Sequence, residues 1–227
     1  MINRLPKWIW FGGVVLAFSA GIINSIALLS FAQQAATHVT GVFTHLSMNI
    51  AQRNNSATLI SVYTLLSFFF GSILSGLIIM DAHLKMGRRY GVALMLECLL
   101  LLLSTFAFKQ HSIWGEYLAC MAAGLQNAMV STYSGTIVRT THMTGVLTDL
   151  GALIGQWMRG VNIQGLKFKI LLGILLSFFW GGFVGVLLYS RVGYFAMLFP
   201  AAIVGVSSLV YFWLRIQQKK LFARVKI

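Results

Sequence analysis

Long apolar stretches separated by short polar gaps dominate the chain. A helix that crosses a bilayer needs about 20 consecutive, mostly apolar residues. Six stretches meet this requirement: Trp8–Phe31, Ala57–Met80, Tyr90–Phe108, Ile113–Tyr133, Phe168–Tyr189 and Gly193–Leu214. We therefore predict an all-α polytopic membrane protein with six transmembrane helices, in which residues 1–227 form a single membrane domain.

Two shorter segments, Val39–Gln52 and Met143–Met158, have the pattern of helices but are short and polar for spans. They resemble each other, because residues 37–46 and 141–150 are identical at seven of ten aligned positions and share the motif Thr-His-x-Thr-Gly. We predict that both are re-entrant or broken helices. The alternative is that both cross the membrane completely, which gives eight spans.

The similarity extends along both halves of the chain. Matching positions occur in the same order: Gly21 with Gly124, Asn24 with Asn127, and residues 65–71 with residues 175–181. Self-similarity of this kind indicates an internal repeat. We place the first repeat at residues 8–108 and the second at residues 113–214, followed by a basic cytoplasmic tail at residues 215–227.

Composition separates a membrane protein from a soluble one. Of the 227 residues, 58% are hydrophobic and 9% are charged, whereas soluble domains contain about 25% charged residues. In water such a chain would expose large apolar patches, so the lipid bilayer is the expected partner of its surface. The formal charge of +13 does not indicate a nucleic-acid partner, because the basic residues lie in short gaps and at the two ends.

The basic residues predict the topology. If the two short segments do not cross, 14 of the 17 basic residues lie on one side of the membrane, and the other side keeps Arg53, Lys109 and Arg191. Since cytoplasmic loops collect Lys and Arg, we predict that both termini are cytoplasmic. Each repeat then contains three spans, so the two copies have opposite orientations. An inverted 3+3 repeat of this kind is typical of transporters.

Polar residues at membrane depth are candidates for a site, because they are costly there without a purpose. The Thr-His-x-Thr-Gly motifs begin short helices, where free N–H groups and the helix dipole suit an anion or another polar ligand. We predict a binding site between the two short helices, formed by polar residues of these helices and of the long spans: Asn24, Thr37, His38, Thr40, Gly41, Thr44, His45, Glu97, Gln126, Asn127, Thr141, His142, Thr144, Gly145, Thr148 and Asp149. The alternative is that these residues cap and pack the helices.

The histidines and the aspartate have a second interpretation. His38 and His45 are two helical turns apart, as are His142 and Asp149. This spacing is about 10 Å along a helix, too far for both members of a pair to hold one metal ion. We therefore expect no metal and no other cofactor, whereas a proton relay stays open.

The polar residues of the long spans also allow two interpretations. Glu97 lies mid-span, and it either belongs to a polar pathway or is a neutral side chain bonded to a neighbouring helix. Asn24, Gln126 and Asn127 either contact a ligand or hold helices together through their amides.

Five motifs occur over nearly the whole chain: Gly21-x-x-Asn24, Thr37-His38-Val39-Thr40-Gly41, Arg88-Arg89, Gly124-Leu125-Gln126-Asn127-Ala128 and Arg139-Thr140-Thr141-His142-Met143-Thr144-Gly145. With these motifs the chain resembles the YoaK family, a bacterial group of six-span membrane proteins with a domain of unknown function. The resemblance implies a location in the bacterial inner membrane and a suspected transport role. It implies no particular substrate.

These patterns favour a small-solute transporter or channel-like permease, with a small polar or anionic solute as its substrate. An intramembrane enzyme is one alternative, although the chain has no nucleotide-binding loop, zinc-protease motif or nucleophile elbow. A non-transporting membrane scaffold or assembly factor is the other. A homo-oligomer is compatible with all three functions.

Overall fold

The computed structural model describes residues 7–31, 33–79, 88–133, 139–163 and 165–225, and the regular structure within them is helical. The helices are α1 (Lys7–Leu29), α2 (Val39–Ala51), α3 (Asn55–Ile78), α4 (Arg88–Lys109), α5 (Trp114–Tyr133), α6 (Met143–Met158), α7 (Gly165–Val192) and α8 (Leu198–Val225). A 3₁₀ helix at Gly193–Met197 joins the last two. The predicted all-α class is confirmed for the described residues.

Several helices are suited to lipid. Four stretches of the described chain are long and apolar enough to cross a membrane: Trp10–Leu29, Asn55–Ile78, Arg89–Lys109 and Gly165–Gln217. The last stretch covers α7, the 3₁₀ helix and most of α8. The chain is therefore an integral membrane protein.

Helix α5 differs from these stretches. The sequence predicts a span at Ile113–Tyr133, and α5 has 20 residues there, but it is not among the four apolar stretches. Its polar residues Glu116, Gln126 and Asn127 lower its hydropathy. Because α5 packs against α1, α3 and α4, other helices rather than lipid cover much of its surface, and it can carry these polar groups.

The sixth predicted span, Gly193–Leu214, differs more from the observed helix than the other five predicted spans do. Gly193 has a φ angle of +58°, a left-handed conformation that favours glycine and ends a helix. Helix α8 then begins at Leu198, and Pro200 lies in its first turn, where a missing N–H costs little. The helix continues through Val225, into the residues predicted as a basic tail.

Part of the topology prediction depends on basic residues that the structure does not describe. Arg4, Lys85 and Lys226 contribute to the count of basic residues on the cytoplasmic side, and all three lie outside the described residues.

The two short helices each pack against the long helix that follows them. Helix α2 packs on α3, and α6 packs on α7. Near the end of α2, the Asn49 amide donates to Ser61 Oγ of α3 at 3.3 Å. Before α2 begins, the chain folds back along α1, because the Thr37 backbone N–H donates to Asn24 Oδ1 at 3.2 Å. Helix α2 therefore starts beside the interior of α1 rather than beyond its end.

Two pairs of long helices cross at very short range, α1 with α7 and α3 with α5. In the first crossing, a Cβ added to Gly21 would fall on the Phe178 carbonyl oxygen, and one added to Gly181 would fall on the Phe18 carbonyl oxygen. Only a residue without a side chain allows the two backbones to approach this closely.

The second crossing is built in the same way. A Cβ added to Gly71 would fall on the Met121 carbonyl oxygen, and one added to Gly124 would fall on the Phe68 carbonyl oxygen. Ser72 Oγ also donates to the Gly124 carbonyl oxygen at 3.2 Å. Both crossings therefore join helices from opposite halves of the chain through backbone contacts.

Two acidic residues lie inside the helix bundle. Glu97 of α4 is fully buried, and neither of its carboxyl oxygens has a hydrogen-bond partner within the described residues. Glu116 of α5 is also fully buried, but it accepts hydrogen bonds from Ser30 Oγ and Cys120 Sγ, each at 3.4 Å. Removal of the Glu116 carboxyl group would therefore break two hydrogen bonds, whereas removal of the Glu97 carboxyl group would break none within the described residues.

The glycine crossings generate a stability prediction. We expect Gly71→Ala to lower the thermal midpoint of the protein in detergent, because the added methyl group meets a backbone carbonyl that cannot rotate away. The expected loss is about 1–3 kcal/mol. Gly76→Ala is the matched control on the same helix, since nothing lies within 4 Å of its Cβ position. Equal thermal midpoints for the two variants would contradict the close crossing.

Glu97 generates a second stability prediction. We expect Glu97→Leu to keep or raise the thermal midpoint, because it removes a buried carboxyl group that has no partner within the described residues. An unsatisfied buried polar group costs about 1–3 kcal/mol. Glu116→Leu is the control and should be less stable than Glu97→Leu, since it also removes the acceptor of two hydrogen bonds. The reverse order of midpoints would show that the Glu97 carboxyl group stabilises the fold.

Candidate functional site

A cavity of about 560 Å³ lies where the start of α2 faces the start of α6. Residues of both halves line it: Asn24, Thr37, His38, Val39, Thr40 and Phe68 from the first half, and Asn127, Ser131, Arg139, Thr141, His142, Met143, Thr144 and Phe178 from the second. The cavity thus brings together the two Thr-His-x-Thr-Gly segments, which lie about a hundred residues apart in the sequence.

An asparagine–threonine pair supports each half of the cavity. In the first half, Thr37 donates to Asn24 Oδ1 through its hydroxyl at 2.9 Å and through its backbone N–H at 3.2 Å. In the second half, the Thr141 hydroxyl donates to Asn127 Oδ1 at 2.9 Å. Each pair holds the loop before a short helix against the long helix that precedes it. These bonds fix where α2 and α6 begin.

The two short helices begin at the cavity wall. His38 and His142 are the N-cap residues, and neither side chain caps the helix by a hydrogen bond. Serine, threonine or aspartate at this position would satisfy a first-turn N–H group. In α2 the Gly41 N–H donates to the His38 carbonyl oxygen at 3.1 Å. Without a side-chain cap, the N–H groups of the first two residues of each helix stay available to water or to a ligand.

The glycines of the motif make room for the histidines. A Cβ on Gly41 would come within 3.3 Å of His38 Nδ1, and a Cβ on Gly145 would overlap the His142 ring. Each imidazole therefore lies over the first turn of its own helix. The motif places the ring and the uncapped N–H groups together at the cavity wall.

Among the described residues that line the cavity, Arg139 alone belongs to the charged types Lys, Arg, Asp and Glu. It precedes Thr140, which is fully buried and accepts a hydrogen bond from the Gln126 amide at 3.1 Å. The same amide nitrogen donates to the Leu16 carbonyl oxygen of α1 at 2.9 Å. Gln126 therefore ties the loop that carries Arg139 to the helix bundle.

Eight of the residues predicted for the site do not line this cavity: Gly41, Thr44, His45, Glu97, Gln126, Gly145, Thr148 and Asp149. Thr44 and Thr148 are exposed, and their hydroxyls donate to the carbonyl oxygens of Thr40 and Thr144 one turn earlier, at 3.1 Å and 2.9 Å. They lie beyond the cavity because both helices run away from it.

Sequence reasoning did not select several lining residues. Ser131 and Arg139 precede the second motif, and Phe68 and Phe178 lie at the helix crossings. Arg139 belongs to a motif that supports the family resemblance, and it is one of the 14 basic residues that the topology prediction places on one side of the membrane. The signal for the phenylalanines is their match between the repeats, since both occupy the same position of the repeated segments at residues 65–71 and 175–181.

Within the described part of the chain, no group of three or more His, Cys, Asp or Glu side chains lies close enough together to hold a metal ion.

The comparisons with known proteins concern the family alone. No curated protein and no solved structure matches the chain. One family model, described as a protein of unknown function, DUF1275, matches residues 12–210. The sequence-based resemblance to a family of unknown function is confirmed at that level. Because the match covers most of its length, the chain belongs to the DUF1275 family.

Proposed function

We propose that the protein is a small-solute transporter or channel-like permease whose substrate binds between α2 and α6. The observation that carries this proposal is the cavity of about 560 Å³ lined from both halves. Its volume is within the range of about 300–1,000 Å³ that is usual for small-molecule sites. A scaffold protein would need packed helices and no such cavity.

The depth of the cavity supports passage of a solute. Phe68 and Phe178 line it, and they lie near the centres of α3 (Asn55–Ile78) and α7 (Gly165–Val192). Helices of this length extend across the hydrocarbon core of a bilayer, which is about 30 Å thick. A polar cavity near the midplane is costly unless it contains water or a ligand.

We propose six spans, with α2 and α6 as re-entrant helices. Each half packs on the other in the same way. Helix α1 packs on α7, and α5, the counterpart of α1, packs on α3, the counterpart of α7. A two-fold relation between repeats produces this exchange. With three spans in each repeat, the axis lies in the membrane plane and the repeats are inverted.

Location and orientation follow from the charge distribution and the family resemblance. The resemblance to the YoaK family supports a bacterial inner membrane location. The excess of Lys and Arg in the loops assigned to the inside supports cytoplasmic termini. In this topology α6 enters the membrane from the cytoplasm and α2 enters from the opposite side.

An intramembrane enzyme is less well supported by the bonds at the cavity. The Thr37 and Thr141 hydroxyls donate to asparagine oxygens, whereas a nucleophilic hydroxyl would need a base within hydrogen-bond reach. These bonds suit a binding surface that positions its donors.

A cross-linking experiment tests the shared site. Thr40→Cys and Thr144→Cys, in a protein whose Cys98 and Cys120 are replaced by alanine, should be joined by a short thiol cross-linker, because both positions line one cavity. The double variant Thr44→Cys with Thr148→Cys is the control. It should react poorly with the same linker, since both residues lie one turn beyond the cavity.

The same variants test transport. Proteoliposomes should take up at least one member of a broad metabolite panel, and cross-linking Thr40→Cys to Thr144→Cys with a cleavable reagent should block this uptake until the linker is cut. Uptake that continues through the locked protein would rule out this cavity as the pathway. Absence of uptake for the whole panel, with folded protein in the vesicles, would favour the scaffold or the enzyme.

The topology is tested by labelling single cysteines. We expect both termini and a cysteine at Arg88 to be accessible from the cytoplasm, and a cysteine at Lys109 to be accessible only from outside, because the basic residues favour this orientation. Membrane-impermeant thiol reagents on intact cells measure these accessibilities. External labelling at Arg88 would favour eight spans over six.

A further inference from the structure

We propose that this cavity selects small anions, such as carboxylates or phosphates, and that Arg139 sets the selectivity. The inference rests on the proposed transport function of the same cavity and names its substrate class. It depends on three properties of the cavity lining: the balance of donors and acceptors, the charge, and the direction of the two short helices.

The side-chain amides present donors to the cavity. The Thr37 backbone N–H can only donate, so the atom of Asn24 that it contacts at 3.2 Å is the amide oxygen. The corresponding oxygen of Asn127 is occupied by the Thr141 hydroxyl at 2.9 Å. Because each oxygen already accepts a hydrogen bond from a threonine, the two NH₂ groups, which can only donate, are the parts of these amides with most capacity left for a ligand.

The starts of the short helices add backbone donors. The N-caps of α2 and α6 supply no side-chain acceptor to the first turn, and the first-turn residues Thr40 and Thr144 line the cavity. Two helices of 13 and 16 residues therefore direct the positive ends of their dipoles towards one space.

Among the described residues that line the cavity, the one permanently charged side chain is positive. Arg139 lines the cavity, and no aspartate or glutamate is among the described residues that do so. Its counterpart in the first repeat is Ala35, so one repeat alone provides the charge. The Gln126–Thr140 hydrogen bond of 3.1 Å positions the loop of Arg139.

Size distinguishes the class of anion. The cavity has a volume of about 560 Å³, whereas one water molecule occupies about 30 Å³. It is therefore much larger than a bare monatomic ion requires. The dispersed donors suit a small organic or phosphate-bearing anion with several acceptor oxygens. A guanidinium group binds a carboxylate or a phosphate through two parallel hydrogen bonds.

Flux through phosphatidylcholine vesicles tests the selectivity. The probes are lactate and inorganic phosphate as anions, glycerol as the neutral solute, and choline as the cation, each corrected for protein-free vesicles. We expect faster flux for at least one anion than for choline or glycerol. Arg139→Ala should slow that flux about tenfold, the effect of losing one charged hydrogen-bond partner, and Arg139→Lys should restore part of it.

Arg159→Ala is the matched control. Arg159 is exposed, as Arg139 is, but it follows α6 and does not line the cavity, so its loss should leave the anion flux unchanged. Size-exclusion chromatography checks that each variant is folded. Equal flux of choline and the anions, or an unchanged ratio of anion to glycerol flux in Arg139→Ala, would overturn the proposal.

Binding in a neutral detergent separates anion selectivity from transport. We expect inorganic phosphate or lactate to bind the wild-type protein, and Arg139→Ala to bind about tenfold more weakly. Arg139-dependent binding without any flux would support the anion site and contradict the transport function. Flux of glycerol with no Arg139-dependent anion binding would support a permease and contradict the anion site.

The anion could be a free solute or the headgroup of an anionic lipid, and both would use the same donors. Nanodiscs with and without phosphatidylglycerol distinguish them. Binding of phosphate that is equal in the two lipids assigns the site to a free anion. Retention of phosphatidylglycerol that depends on Arg139, with no binding of free phosphate or lactate, assigns it to a lipid.

Discussion

The close approach of helix backbones at four glycines is the constraint on which the rest of the structure depends. Lipid tails are as apolar as leucine, so no hydrophobic force draws membrane helices together, and close packing must do so. Gly21 and Gly181 bring α1 onto α7, and Gly71 and Gly124 bring α5 onto α3. Each crossing joins opposite halves, so the halves hold each other in place.

The cavity is a consequence of these crossings. The carbonyl oxygens of Phe68 and Phe178 take part in the backbone contacts, while the same residues line the cavity. Asn24 follows Gly21 by three residues on α1, which puts it on the same side of the helix. Its hydrogen bond with Thr37 at 2.9 Å then fixes where α2 begins. A shift at the crossing would therefore move the first-turn donors of the short helix.

The sequence predicts the helices better than it predicts the cavity lining. Apolar stretches place most long helices within a few residues, because lipid makes length and apolarity decisive. The start of α8 differs because a 3₁₀ turn follows Gly193, which is a local backbone effect. Shared motifs predict that Thr40 and Thr144 approach each other, and both line one cavity. The location of Arg139 depends on the Gln126–Thr140 bond, a tertiary contact that no spacing in the sequence reveals.

The two repeats contribute unequally to the charge of the cavity lining. Most lining positions are matched, but Arg139 corresponds to Ala35, so the positive charge is not shared by the two halves. In the proposed topology, the loop before α6 lies on the cytoplasmic side. The membrane potential, negative inside, opposes an anion that moves inward, at about 2.3 kcal/mol per charge for each 100 mV. A fixed positive charge on the cytoplasmic side of the cavity does not change this total cost, but it would stabilise a bound anion at that point of the path. In the proposed function, a single arginine therefore favours binding on the cytoplasmic side, whereas two equal charges would hold an anion equally from both sides.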